Sequence, residues 1–200
     1  MPQPFDFTSD YILQDELVLL RPPTEDDFDH LLPFALQEPE IWKYSSLPVS
    51  GKEGLRNYID SVLAAREEKK EYPFVVFDKR QQKYAGSTRF YDINLNYQSL
   101  QLGFTWYGKD FQGTGLNKHC KFLLLEFAFE KMGMERVEFR ANNNNKRSIA
   151  AMQSIGCKIE GVLRNHLPLP NGGRRDSIIL SILKQEWTAN LKAALKEKLL

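Results

Sequence analysis

The stretch Phe111-Gln112-Gly113-Thr114-Gly115-Leu116 constrains this chain more than any other, because it joins a strand-like segment directly to a strongly apolar helical one. Two glycines one residue apart reach backbone angles that other residues resist, and they place no Cβ over the turn. Such a turn opening a helix presents unpaired N–H groups at the positive end of the helix dipole, which suits a phosphate or pyrophosphate. On spacing alone the plainer reading, an ordinary loop into a helix start, is preferred. Two better-known phosphate loops fail outright. A Walker loop needs Lys and then Ser or Thr after its last Gly, where Leu116 and Asn117 stand, and a dinucleotide fingerprint needs a third Gly in an early βαβ unit.

The flanking pattern predicts an α+β domain. A strand over Glu16 to Arg21 leads through Pro22-Pro23 to a helix capped by Thr24, with Glu25, Asp26 and Asp27 in its first turn and Phe28, Leu31, Leu32 and Ala35 as its buried stripe. A second helix lies between Ser50 and Glu68, with Leu55, Tyr58, Ile59, Val62 and Leu63 at helical spacing. Tyr72 to Asp78, Lys83 to Ile93 and Leu100 to Tyr107 read as three consecutive, mostly antiparallel strands. The apolar helix after the glycine turn runs through Phe122, Leu125, Phe129 and Met132 to near Gly133. Arg136 to Ala141 is a strand, Ser148 to Ile155 a helix stopped by Gly156, and Ile159 to Leu163 and Asp176 to Leu183 are the last strands, before a polar helix from Gln185. With no repeat, low-complexity segment or long linker, residues 1–200 are expected to form one domain with a core over about 14–187.

Composition removes several function classes. Lys+Arg 27 against Asp+Glu 26 gives a net charge of +1, so the concentrated basic surface that nucleic acid or an acidic membrane requires is not expected. The most apolar stretches are broken by charge, as at Glu126 and Lys184, and Met1 to Asp10 lacks a basic region followed by an apolar run, so neither a membrane span nor a signal peptide is expected. Cys120 and Cys157 fit reduced, buried thiols better than a disulfide framework or a metal site, which implies a cytoplasmic setting and no metal.

Three ordered motifs resemble the GNAT superfamily of acetyl-CoA-dependent N-acetyltransferases, and more closely its RimJ/RimL-like branch, over about Leu17 to Trp187. The superfamily's Gln/Arg-x-x-Gly-x-Gly/Ala signature falls on Gln112, Gly115 and Asn117, the last carrying Asn where Gly or Ala is commoner. Asn145-Lys146-Arg147-Ser148, followed by a helix and Gly156, looks like the family's Asn-x-x-Ser segment. Glu160-Gly161-Val162-Leu163-Arg164 looks like its Glu-Gly-x-x-Arg strand, with Arg175-Asp176 opening the next. The resemblance implies a mixed, mostly antiparallel seven-stranded sheet with helices on both faces. Its fourth and fifth strands, here Leu100 to Tyr107 and Arg136 to Ala141, splay apart to receive the pantetheine arm. It implies acetyl-CoA as cosubstrate and an amine acceptor, a peptide N-terminus or a small amine, for a monomer or homodimer.

The same resemblance distributes roles. Phe104, Thr105, Trp106, Gln112, Gly113, Thr114, Gly115, Leu116, Asn117, Asn145 and Ser148 would bind the cofactor. Ser148 would stabilise or protonate the departing thiolate, with helix N-capping as its structural alternative. Trp42, Arg89 and His166 would meet the acceptor, with Trp106 and Tyr107 beside them; of these, Arg89 would demand a partner if buried. Lys118, His119 and Lys121 read as solvated positions on the cofactor helix. Many relatives place a Glu base before Leu/Ile-Gly-Phe/Tyr, but Gln101 precedes Leu102-Gly103-Phe104 here, and a neutral amide accepts no proton. Glu160, His166 and Asp176 stay open as bases; His166, in the loop after the sixth strand, has a reference pKa of about 6.5 that suits the task, whereas Asp176 would equally pair with Arg174 or Arg175. A non-catalytic coenzyme A sensor or scaffold is the rival reading, motivated by Gln101.

Overall fold

The computed structural model describes residues 5–44, 49–169 and 172–199. One open sheet runs through it in the order β1-β2-β3-β4-β5-β6-β8-β7. Its strands are β1 (Leu13–Gln14), β2 (Val18–Arg21), β3 (Tyr72–Asp78), β4 (Lys83–Asn94), β5 (Ser99–Tyr107), β6 (Arg136–Asn142), β7 (Lys158–Pro168) and β8 (Arg174–Leu183). Every pairing is antiparallel except β5 with β6. The expected seven strands become eight because β1, two residues long and too short to leave a pattern, folds back on β2. The Ile159 to Leu163 strand extends to Pro168 within a long β7–β8 hairpin.

Helices α1 (Asp27–Gln37) and α2 (Gly51–Glu67) cover one face of the sheet, and α3 (Leu116–Glu126) covers the other. Leu55, Tyr58, Ile59 and Val62 of α2 are buried at the spacing that puts them on one helical face. With both faces covered, β3 carries the near-continuous apolar run Tyr72-Pro-Phe-Val-Val-Phe in place of alternation. A π-helical turn, Phe127–Lys131, ends α3, and α4 (Lys146–Ser154) follows β6. The chain closes with α5 (Lys184–Glu186), a π turn (Trp187–Leu191) and α6 (Lys192–Glu197). This end is polar outside but docks through Trp187, fully buried against Phe122 and Phe129.

Thr24 does not cap α1; the flanking residue is Asp26, without a side-chain bond, and Asp27 anchors the helix start instead. Asp27 is fully buried and accepts from the Thr24 amide at 2.8 Å and from Arg21 at 2.7 and 2.8 Å, tying the helix to β2. A bidentate guanidinium is what a buried carboxylate needs to offset its desolvation. Removing the charge leaves Arg21, itself partly exposed, without its partner. Asp27→Asn should therefore cost about 2 to 3 kcal/mol and lower Tm by roughly 5 to 10 °C, read by thermal unfolding against wild type.

Candidate active site

The parallel pairing of β5 and β6 is confined to Ser99↔Arg136, Leu100↔Val137 and Gln101↔Glu138. Beyond Gln101 the strands part, and β6 continues only with β8, as far as Asn142↔Ser177. A bulge in β5 produces the divergence. Ser87 pairs with Trp106 and Arg89 with Gly103, so Phe104 and Thr105 together oppose Thr88. Phe104 adopts φ +50°, an angle a bulky side chain seldom takes. Phe104, Thr105 and Trp106 thus lie past the last β5–β6 pair and border the opening, where the cofactor arm is expected.

The glycine turn lies at the end of this opening. Gly113 and Gly115 take φ +77° and +89°, and no atom stands within 4 Å of where a Cβ would project, so the turn faces open space. Among the described residues the amides of Gly113, Thr114, Gly115 and Asn117 meet no acceptor, and no acidic residue sits in the first turn of α3. Gln112 fixes the turn by donating to Tyr107 O at 2.7 Å, and Thr114 Oγ1 donates to Phe111 O at 2.8 Å. Two guanidiniums flank it, Arg80 on the Thr114 carbonyl and Arg147 on Gln112 Oε1. Unpaired amides, a helix N-terminus and two nearby cations make the arrangement fit a pyrophosphate.

Arg147 also links the turn to the second motif. α4 begins two residues earlier than the sequence suggests because Asn145, not Ser148, caps it, accepting from the Ser148 amide at 3.1 Å. The capping alternative for Ser148 is overturned, and its hydroxyl has no hydrogen-bond partner among the described residues.

The opposite face of β4 and β5 carries an aromatic layer. Trp42, in a 3₁₀ turn (Pro39–Trp42), is buried and packs on Trp106 at 4.4 Å, while Trp106 Nε1 donates to Tyr58 Oη at 3.2 Å. Arg89 is 3% exposed, lies over the Phe104 ring at 4.1 Å and pairs with Glu71 at 2.5 Å, the partner its burial demands. One terminal nitrogen of Arg89 and Trp42 Nε1 have no acceptor among the described residues. Tyr107 does not join this layer; its ring turns to the α3 face and lies against Cys120.

The base candidates separate. Arg136, at 2.6 Å, and Ser181 hold the Glu160 carboxyl down to about 2, which removes it as a base. Asp176 accepts from the Asn165 amide at 2.7 Å and not from either neighbouring arginine. His166 lies in β7, inside an irregularity between Leu163 and Leu167, and not in a loop; its Nδ1 is 3.0 Å from the buried Ser177 hydroxyl. The tip of that hairpin, 170–171, lies outside the described residues. Gln101 is buried, bonds Asp92 through Nε2 at 2.8 Å and leaves Oε1 without a partner among the described residues.

Two of the three α3 side chains read as solvated, His119 and Lys121, are largely buried. His119 Nδ1 meets Asp15 at 2.6 Å, and Lys121 is 5% exposed with Nζ 2.8 Å from Thr105 Oγ1. Burial pushes the Lys121 amine down to about 8. The sequence places Lys121 one residue beyond Cys120 on a helix apolar over most of its turn, and that is the signal available for its burial. Glu71 leaves no such signal. Both thiols are free and buried, and burial pushes each up to about 12.

A profile of the acetyltransferase (GNAT) domain matches residues 18–158. The chain belongs to the GNAT acetyltransferase family. It is 30% identical over 102 residues to the "Putative ribosomal N-acetyltransferase YdaF" of Bacillus subtilis, covering 51% of this chain and spanning 55% of that protein's length. It superposes on a "putative acetyltransferase" from T. thermophilus with a TM-score of 0.85 at 31% identity, covering 94% of this chain and 97% of that one. A GCN5-related N-acetyltransferase from Brucella melitensis shares the fold at TM-score 0.88 and 24% identity, over 98% and 89% of the two chains. These likenesses agree with an acyltransferase of the N-acetyltransferase family, whose members use acetyl-CoA. Among the described residues no helix is long and apolar enough to cross a membrane, and no cluster of three metal-ligating side chains is present.

The Lys121 environment gives a stability prediction with a definite sign. Its folded pKa lies below the unfolded value, so between about pH 8 and 10 the unfolded chain binds more protons and stability rises with pH. Denaturant unfolding of wild type and Lys121→Met across that interval should show wild type gaining relative to the variant, by on the order of 1 to 3 kcal/mol. Parallel curves would refute the assignment of a depressed amine.

Proposed function

We propose that this enzyme transfers the acetyl group of acetyl-CoA directly to an α-amine at a peptide N-terminus. The observation that carries the reading is that carboxylates around the parting strands are already engaged. Glu71 is held by Arg89, Glu138 by Arg136 and Arg140, Glu160 by Arg136, and Asp92 by Gln101. A site short of a free base favours an amine that arrives partly neutral. Near pH 7.5 an α-amine of pKa about 8 is roughly a quarter neutral, and an unperturbed Lys on the order of a thousandth, a difference of about 3 kcal/mol. The buried N–H groups of Arg89 and Trp42 that lack acceptors among the described residues suit the carbonyl oxygens of a peptide.

In this reading the pyrophosphate rests on the amides of Gly113 to Asn117, with Gln112 shaping the turn and Arg80 and Arg147 beside it. The pantetheine lies along Phe104 to Trp106, where the backbone freed by the bulge bonds its amides. The amine nitrogen attacks the thioester carbonyl, and collapse of the tetrahedral adduct sends the C–S electron pair to sulfur. Asn145 positions the start of α4 so that Ser148 meets the sulfur with its unengaged hydroxyl. His166, anchored on Ser177, takes the amine proton through a water. A homodimer, a small-amine acceptor and a cytoplasmic location are compatible with this scheme without being needed by it.

Ser148→Ala should lower kcat roughly 100-fold with the KM for acetyl-CoA little changed, the signature of a group acting in the transition state. Unchanged turnover in a folded variant would remove Ser148 from the mechanism. The acceptor is tested by thiol release with two peptides of one sequence, one with a free N-terminus and no Lys, the other N-blocked with one Lys. The free N-terminus should give the higher kcat/KM. Preference for the blocked peptide would overturn the α-amine assignment, and no release with either would favour a coenzyme A sensor.

A further inference from the structure

Lys121 presents a problem that the reaction scheme leaves unsolved. Its amine lies under the β5 bulge, between α3 and the sheet, 2.8 Å from Thr105 Oγ1 and 3.4 Å from Thr88 Oγ1. Among the described residues no carboxylate pairs with it. A buried cation without a counter-ion is costly, and an apolar side chain of similar length would cost less. Its place suggests where the missing negative charge comes from. Thr105 is only half-buried, on the α3 face of β5, past the point at which β6 departs.

Hydrogen-bond logic narrows what Thr105 does there. An ammonium donates and never accepts, so both threonine oxygens receive from Lys121. The two hydroxyls are 2.7 Å apart, and either can donate to the other. When Thr88 donates, Thr105 Oγ1 has both lone pairs filled from inside the protein, and its own hydrogen has only the Gly103 carbonyl, 3.5 Å away at the limit of a hydrogen bond, to hold it back from the opening. An anion in the opening selects that arrangement, because the hydroxyl hydrogen then faces the charge with the cation behind it.

We propose that Thr105 donates a hydrogen bond to the coenzyme A sulfur as the thiolate forms, and that Lys121 is a positioning residue that polarises Thr105 from behind. The proposal rests on the acetyl-CoA reading of the opening. As the C–S bond breaks, its electron pair moves to sulfur and the acetyl carbon keeps its new bond to nitrogen. The nitrogen loses one proton and the sulfur finally gains one, so the proton count is unchanged and Lys121 keeps all its protons. Its charge is compensated only while the thiolate exists, which places the gain in the transition state and not in cofactor binding.

The groups facing Lys121 do not compete for this role. Cys120 on its own helix and Cys157 after α4 are thiols that burial pushes up to about 12, and Tyr107, beside Cys120, is raised as well. All three are neutral at physiological pH. Coupling between the amine and the sulfur is reciprocal: whatever lowers the thiol pKa raises that of Lys121 by the same amount.

The test needs no acceptor. Free coenzyme A is bound at saturation to wild type, Lys121→Met, Lys121→Arg and Thr105→Val, binding is measured by calorimetry, and the bound thiol is titrated by thiolate absorbance. Wild type and Lys121→Arg should form the thiolate about one pH unit or more below Lys121→Met and Thr105→Val, a tenfold or larger shift, with similar coenzyme A affinity at a pH low enough that the thiol stays protonated in all four. Coincident titrations in wild type and Thr105→Val overturn the proposal, whatever Lys121→Met does, because the path runs through that hydroxyl. Thr105→Val keeps side-chain volume and the buried amine, so it carries the comparison if Lys121→Met fails to fold. Wild type that binds no coenzyme A overturns the acetyl-CoA reading and this inference together; wild type that binds it with the same thiol titration as the variants overturns only this inference.

Discussion

The separation of β5 from β6 after Gln101 is the constraint from which the rest of the site follows. A parallel pair that stops after three residues leaves the next turns of both strands without ladder bonds on their facing edges. The bulge at Phe104 and Thr105 enforces the separation, since an extra residue in β5 rotates its edge away from β6. A bulge beside an opening would be a defect in an ordinary core. Here it leaves backbone groups free for an extended amide-bearing ligand, the place proposed above for the pantetheine arm of acetyl-CoA.

Sequence alternation along β5 then assigns two chemistries to two faces. Phe104 and Trp106 project toward α2, where Arg89, Tyr58 and Trp42 form an aromatic and cationic layer. Thr105 and Tyr107 project toward α3, where Lys121 and Cys120 lie. A ligand in the proposed place would meet both sets without either having to accommodate the other. The register is held because a one-residue slip would exchange the faces, putting Thr105 into the aromatic layer and Trp106 against Lys121.

Much of this is legible in the sequence, and the illegible parts have identifiable physical causes. The element order, the glycine turn and the Asn145 to Ser148 segment depend on local patterning, and the structure keeps their order, with α4 starting two residues early and Asn145 as its cap. The partner of the second strand, β1, escapes because two residues carry no periodicity. His166 reads as a loop residue because the apolar pattern of its strand fades after Leu163; on an exposed edge strand little burial enforces alternation. Glu71 and Lys121 escape for a different reason. Their roles come from partners 18 and 16 residues away in sequence, on other elements, and no short window along the chain contains both members of either pair.

Gln101 shows how the two levels join. In the sequence it removes the expected base; in the fold it sits at the last paired position of β5, opposite Glu138, with its amide nitrogen on Asp92 and its oxygen unpaired and buried. A Glu at this point would stand near Asp92 and Glu138; Arg136 and Arg140 neutralise Glu138, so the repulsion would come chiefly from Asp92. The amide avoids that repulsion by donating to one neighbour. Its cost is the buried Oε1, an acceptor that wants a donor, and a neutral amine entering the opening has N–H groups to give. An amide oxygen accepts from an ammonium at least as well as from a neutral amine, so Gln101 does not select the neutral form, and neutrality has to come from the acceptor's own pKa.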